Sequence, residues 1–211
     1  MQVKNNDYIS ESHNYNSNII KYNMKINGVI HVGGNVGEEI PQYRQQTNNI
    51  HMFEPLKECF DQIDNSINKY NVGLGSKKCT LEFNIAINKQ SSSFLKPKLH
   101  LEKHSWVTFN EPKRLIDIDT LDSYNIVDCN FLHMDTQGYE LEILKGSEET
   151  LKYIDYIYTE INIMELYENC VQLEELDEYL KSKNFIRTEL ILTGYGAGDA
   201  LYIKKLGENL K

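Results

Sequence analysis

The stretch Val29-Ile30-His31-Val32-Gly33-Gly34-Asn35-Val36-Gly37 decides the reading of this chain. A short apolar run closes on three glycines within five positions, and the segment 38–46 that follows suits a helix. Strand, glycine turn and helix in that order open many α/β sheets that hold nucleotides. The backbone N–H groups of such a turn face a ligand with no side chain in the way. A glycine turn alone is a weak signal, since tight strand-to-helix turns also occur without a ligand.

Outward from this unit the pattern repeats. Ile50 to Phe53 is a second apolar run closed by Glu54-Pro55, and 56–67 carries Cys59, Phe60 and Ile63 at helical spacing. Tyr70 to Leu74 reads as a third strand, and Cys79 to Ile87 alternates Leu81, Phe83, Ile85 and Ile87 as a half-buried strand does. A polar loop over 90–112 holds Ser91-Ser92-Ser93, His100, His104 and the single tryptophan, Trp106. A stretch of that length without regular structure inside a compact domain is either functional or conceals an element the pattern does not show.

Asn130 to Met134 is a further buried-type strand closed by Asp135-Thr136-Gln137-Gly138, followed by a helix over Tyr139 to Lys145. Tyr153 to Tyr158 predicts another parallel strand ending at Thr159-Glu160-Ile161-Asn162, and Leu173, Leu176 and Leu180 mark an amphipathic helix. The last two runs, Phe185 to Leu192 and Ala200 to Lys204, are too close together for a crossover and predict an antiparallel hairpin.

The 211 residues suit one domain, taken as 28–211, with 1–27 as an N-terminal arm. That arm has seven Asn and no sustained apolar period; a loosely ordered lead, a lid and a homodimer contact are the roles open to it. A net charge of -9 argues against nucleic acid as partner. No apolar run approaches the roughly 20 residues that span a bilayer, and Met1 to Ile20 is polar rather than signal-like, which predicts a cytoplasmic protein with no membrane contact. Cys59, Cys79, Cys129 and Cys170 are scattered, so reduced thiols are expected and no metal site.

Glu54, Asp135 and Glu160 fall at three successive strand ends, where open α/β sheets bind ligands. Glu54 suits the two hydroxyls of a ribose, while Asp135 and Glu160 face the same crevice with Asn162. Each acid taken singly is as readily a cap or a solvated group. His133, inside an apolar strand, reads as a core residue. Ser92 suits a hydroxylated substrate, and Tyr139 and Tyr167 lie just past strand ends, where rings stack on a sugar or an adenine or simply pack.

Taken in order with Ile118-Asp119-Thr120-Leu121-Asp122, Glu140, Leu144-Lys145-Gly146 and Tyr158-Thr159-Glu160-Ile161-Asn162, these motifs make the chain resemble the FkbM family of methyltransferases from about Gly28 to Lys205. The resemblance implies a Rossmann-like α/β three-layer sandwich with a mostly parallel seven-stranded sheet and an antiparallel C-terminal hairpin strand. It implies S-adenosyl-L-methionine as cofactor and a sugar or glycan hydroxyl as methyl acceptor. By position, Gly33, Gly34, Asn35 and Gly37 would hold the methionine part, Glu54 the ribose, and Asp135 would sit beside the methyl as base or positioner, with Glu160 second. Ser92, Asn162 and Tyr167 would bind the acceptor.

Two residues depart from the family's pattern: His31 where an acid is usual, and Gln137 where many members have Glu. The alternatives are an NAD-dependent oxidoreductase and a non-catalytic glycan-binding module. The first lacks the G-x-G-x-x-G spacing in Gly33 to Gly37, and the second would be favoured by loss of the strand-end acids, which are present.

Overall fold

Strand β1 (Val29–Val32) is buried along its whole length, as a continuous apolar run between two partners must be. It pairs in parallel with β2 (Ile50–Phe53) on one side and with Phe131–Met134 on the other. The computed structural model describes residues 22–109 and 112–205. In chain order its other strands are β3 (Asn68–Tyr70), β4 (Gly73–Leu74), β5 (Cys79–Phe83), β6 (Arg114–Asp119), β7 (Phe131–Met134), β8 (Tyr156–Asn162), β9 (Phe185–Leu192) and β10 (Ala197–Lys204). The main sheet has seven strands in the order β3-β2-β1-β7-β8-β10-β9, and β10 runs antiparallel to both neighbours. The order reverses between β1 and β7, which is where such sheets open a ligand crevice.

Side chains alternate between two cores. Ile30, Val32, Leu132 and Met134 face one that includes Ile143 and Leu144 of α4 (Glu140–Lys145) and Leu176 and Leu180 of α5 (Leu173–Ser182). Val29, Met52, Phe131 and Tyr158 face the other, with Ile40 and Tyr43 of α1 (Ile40–Tyr43). Helix, sheet and helix make the three layers expected.

Several elements differ from the sequence reading. The helices expected over 38–46 and 56–67 contract to four residues each, α1 and α2 (Lys57–Phe60), and the rest is turn. The single strand expected at 70–74 is two, β3 in the main sheet and β4 in a second sheet of order β4-β6-β5. The alternating run from Cys79 is β5 of that small sheet, paired with β6, a strand the sequence pattern does not announce. Strand β8 runs on to Asn162 because β10 pairs along it, Glu160 opposite Asp199 and Asn162 opposite Ala197. Glu160 and Asn162 are therefore within a strand rather than beyond its end. The loop over 90–112 contains one short helix, α3 (His100–Lys103).

Of the N-terminal arm, residues 22–27 are described. Met24 is buried in the α1-side core, the Tyr22 hydroxyl donates to the Thr188 carbonyl, and the Asn27 N–H donates to Asn130 Oδ1. Residues 1–21 lie outside the described residues. Among the described residues no helix is long and apolar enough to cross a membrane, and all four cysteines are free.

Candidate active site

A cleft of about 530 Å³ opens at the carboxyl ends of β1, β2 and β7. Its walls come from the glycine turn, the Glu54 turn, the Asp135 turn, β4, and the segment 88–94. Of the residues expected to hold a cofactor, Gly33, Asn35 and Glu54 line it. Gly33 has φ +87°, and a Cβ there would fall 1.9 Å from the Asp135 carbonyl oxygen. No other residue lets the two strand ends come so close.

Gly34 and Gly37 do not line the cleft. Gly34 has the Met52 side chain where its Cβ would be, at 2.2 Å, and Gly37, at φ +82°, has Ile40 Cδ1 at 2.6 Å. At both positions the missing side chain makes room for packing of the turn. Gly34→Val should accordingly lower the melting temperature by disturbing Met52, at a cost of about 1–3 kcal/mol, rather than leave a stable protein that has lost only its ligand. A thermal melt beside a binding titration separates the two.

Glu54 is buried, with Oε2 accepting the Asn35 N–H at 2.8 Å and Oε1 the Leu56 N–H at 2.7 Å. Burial raises its carboxyl to about 7, opposed by those two N–H groups. The carboxylate thus ties the first glycine turn to the end of β2.

Asp135 lines the cleft, and its neighbour Gln137, which the resemblance marks as a departure, organises the site. Gln137 has φ +56°, an uncommon conformation for a residue with a side chain, placing strain at a strand-end turn. Its Nε2 donates to Asp135 Oδ1 at 2.9 Å and to Glu160 Oε2 at 2.7 Å, while its Oε1 lies 2.9 Å from the Tyr167 hydroxyl. Its carbonyl accepts from Ser93 Oγ at 2.9 Å. The Glu140 carboxylate, fully buried, holds the same turn by accepting from the Thr136 N–H and hydroxyl and the Gly138 N–H.

Glu160 does not line the cleft; it meets Asp135 through Gln137. Burial, and then the charges of Asp135, Glu140 and Asp199, raise its carboxyl well above the ordinary range. Two carboxylates joined through one amide resist carrying two charges at once, and Asp135 is the one that faces the cleft.

Of the acceptor residues expected, Ser92 lines the cleft, with its Oγ accepting the Ala86 N–H at 3.0 Å. Tyr167 stands behind Gln137, and Asn162 is buried away from the cleft. His31 and His133 are stacked at 4.3 Å in the α1-side layer, each beside the Tyr43 hydroxyl, so the departure at His31 does not touch the cleft. Glu38, Glu39 and Lys89 also line it, and the sequence pattern does not single them out. Glu38 and Glu39 directly follow the glycine turn, which is the available signal.

Among the described residues His51, Asp128 and Cys129 could hold a metal, with ligand atoms within 4.8 Å of one another. They sit toward the amino ends of β2 and β7, opposite the cleft.

Sheet order, reversed hairpin and strand-end cleft define a Rossmann-like methyltransferase fold. A methyltransferase from Clostridium acetobutylicum described as S-adenosylmethionine-dependent superposes with TM-score 0.53 at 7% identity, over 95% of this chain and 93% of that one. The magnesium protoporphyrin IX methyltransferase ChlM of Synechocystis PCC 6803, solved with bound SAH, gives TM-score 0.51 at 7% identity, over 90% and 79%.

Residues 31–187 match the methyltransferase FkbM domain model, and the chain belongs to that family. The FkbM methyltransferase of Methylobacillus flagellatus KT superposes with TM-score 0.55 at 17% identity, covering 84% of this chain and 43% of that one. The 2-O-methyltransferase NoeI of Sinorhizobium fredii (strain NBRC 101917 / NGR234) is 35% identical over 98 residues, 44% of this chain and 39% of the relative. The match therefore takes in well under half of that curated relative's length.

Proposed function

We propose that this methyltransferase binds S-adenosyl-L-methionine in the cleft and methylates a hydroxyl oxygen of a sugar or glycan. The observation that carries the reading is the Asp135 carboxylate, presented at the cleft by Gln137 beside the glycine turn. The 2-O-methyltransferase among the relatives supports oxygen as the acceptor atom. The test is methyl incorporation from labelled cofactor across a panel of nucleotide sugars and oligosaccharides.

The cleft residues fit the cofactor. Four acids, Glu38, Glu39, Glu54 and Asp135, and one lysine, Lys89, line it, which suits a cationic ligand. Gly33 and Asn35 offer a turn without bulk, Glu54 a buried carboxylate for the ribose hydroxyls, and Leu74, Phe94 and Tyr139 an apolar wall for the base. When bound, the cofactor supplies a methyl group activated by its sulfonium.

Asp135 takes the proton of the acceptor hydroxyl or fixes its lone pair in line with the methyl. Gln137 keeps the carboxylate in one rotamer by the bond to Oδ1, and Glu160 anchors Gln137 from behind. A metal ion is not part of this reading, because the Gln137 amide puts N–H donors between the two carboxylates where a bridging cation would need lone pairs.

Glu54 makes the binding step depend on pH. With its carboxyl raised to about 7, cofactor affinity should increase as pH rises through 7 and level off above it, because the ionised form bonds ribose hydroxyls more strongly. Glu54→Gln should abolish that dependence and weaken binding about tenfold or more. Calorimetry between pH 6 and 8.5 on both proteins checks this; a flat wild-type profile would remove Glu54 from the ribose.

A further inference from the structure

Trp106 and Tyr195 are large aromatic side chains left 55% and 40% exposed on the same rim of the sheet as the cleft. Trp106 follows α3, and Tyr195 sits in the turn between β9 and β10. Their rings meet edge to face at 5.9 Å and 79°, and His104 lies 5.2 Å from one and 5.1 Å from the other. Two rings at right angles over an imidazole form a ledge with a corner.

The ledge is tied to the active site by a chain of contacts. His104 stacks on His100 at 4.6 Å, and His100 lies 5.1 Å from the Tyr167 ring. The Tyr167 hydroxyl reaches Gln137, which holds Asp135. The backbone of α3 is fastened to the segment after β8, with the N–H groups of Lys98 and His100 donating to the Leu166 carbonyl. Burial lowers His100, to about 4, and also lowers His104, so the ledge is uncharged near neutral pH. Lys98 and Lys96, on the same segment, are paired with Glu165 and Glu168.

Exposed aromatic rings that meet at a corner suit a ligand surface, and a flat apolar face with polar edges is what a pyranose ring offers in return. A nucleic-acid base would stack equally well, but a chain of net charge -9, with Lys96 and Lys98 paired to acids, gives little support for phosphates.

We propose that Trp106 and Tyr195 form a second acceptor subsite, which stacks a neutral sugar ring one or more units away from the ring that is methylated. The inference rests on the sugar reading of the active site and makes the acceptor an oligosaccharide rather than a monosaccharide.

Trp106 is the single tryptophan, so its emission reports on the ledge directly, without turnover. The full chain, saturated with S-adenosylhomocysteine, is titrated with a panel of neutral monosaccharides and of α- and β-linked oligomers up to six units. Oligomers should change the emission saturably, monosaccharides should not, and Tyr195→Ala should weaken the titration about five- to tenfold. Trp106→Ala should raise KM for a long acceptor by a similar factor, with kcat and cofactor affinity within about twofold, and Trp106→Phe should restore most of the loss. Unchanged emission with an oligomer that is methylated overturns the ledge and leaves the proposed reaction standing. Emission change with no methyl transfer to any member keeps the ledge and overturns the sugar hydroxyl as acceptor. Neither signal with any member overturns both.

Discussion

Asp135→Asn is expected to lower methyl transfer by about 10² to 10⁴ at saturating cofactor, the usual contribution of a positioned general base. The substitution keeps the shape of the side chain and the acceptor atom that Gln137 bonds, so the turn and the cofactor site should survive. Cofactor affinity and melting temperature are therefore expected to change little. The effect should be larger than that of Glu160→Gln, because Glu160 does not line the cleft and reaches it only through Gln137. Rates for the two variants with one acceptor decide the matter. If the Asp135→Asn variant turned over within a few-fold of wild type, the base would have to be sought elsewhere along the cleft.

Gly33→Ala is expected to have the largest effect on folding. The position combines φ +87° with an Asp135 carbonyl oxygen 1.9 Å from where a Cβ would stand, and that neighbour is backbone which cannot swing aside. Left-handed strain alone is worth about 1–3 kcal/mol, and separating β1 from β7 at their carboxyl ends adds to it. A total of about 3 kcal/mol or more corresponds to roughly 6–12 °C in melting temperature for a domain of this size. Methyl transfer should fall with it, since Asp135 itself would be displaced. A melt matching the wild type would mean that the β1–β7 contact is looser than this geometry.

The strands that carry the site are legible because each is a buried apolar run ending at a glycine or an acid. Val29–Val32, Ile50–Phe53 and Phe131–Met134 need no tertiary information, since parallel strands covered on both faces are largely apolar, here with one histidine in each. The hairpin is legible from loop length alone. Strand β8 reads short because Glu160 and Asn162 are polar, and only pairing with β10 reveals that the strand continues through them. Strand β6 escapes the pattern because it is half-exposed, with Leu115 73% exposed while Asp119 is partly buried. The two four-residue helices read too long because turns also carry apolar residues at three- and four-residue spacing.

At the site, Asp135 and Glu54 can be placed from strand ends alone, whereas the part played by Gln137 cannot. Its position next to Gly138 is visible, but a bridge between two acids depends on a left-handed backbone at Gln137 and on Glu160 arriving from another strand. Gly34 shows the converse, a motif glycine whose lack of a side chain also makes room for Met52, which no spacing rule reveals.

The small sheet beside the cleft has a core of its own, built on only four fully buried residues, Leu56, Cys59, Phe83 and Ile85, with Phe94 and Ile116 packed against them. The main sheet rests on far larger cores on both faces. Because local opening costs scale with the apolar surface that must be exposed, the two halves of the cleft differ in stiffness. One wall, carrying the acids, is fixed to the most protected strands of the molecule. The other, carrying Phe83 and Phe94, rests on the smaller core and opens at lower cost, so entry and exit of a bulky ligand call for the breathing of one satellite and not for any hinge in the domain.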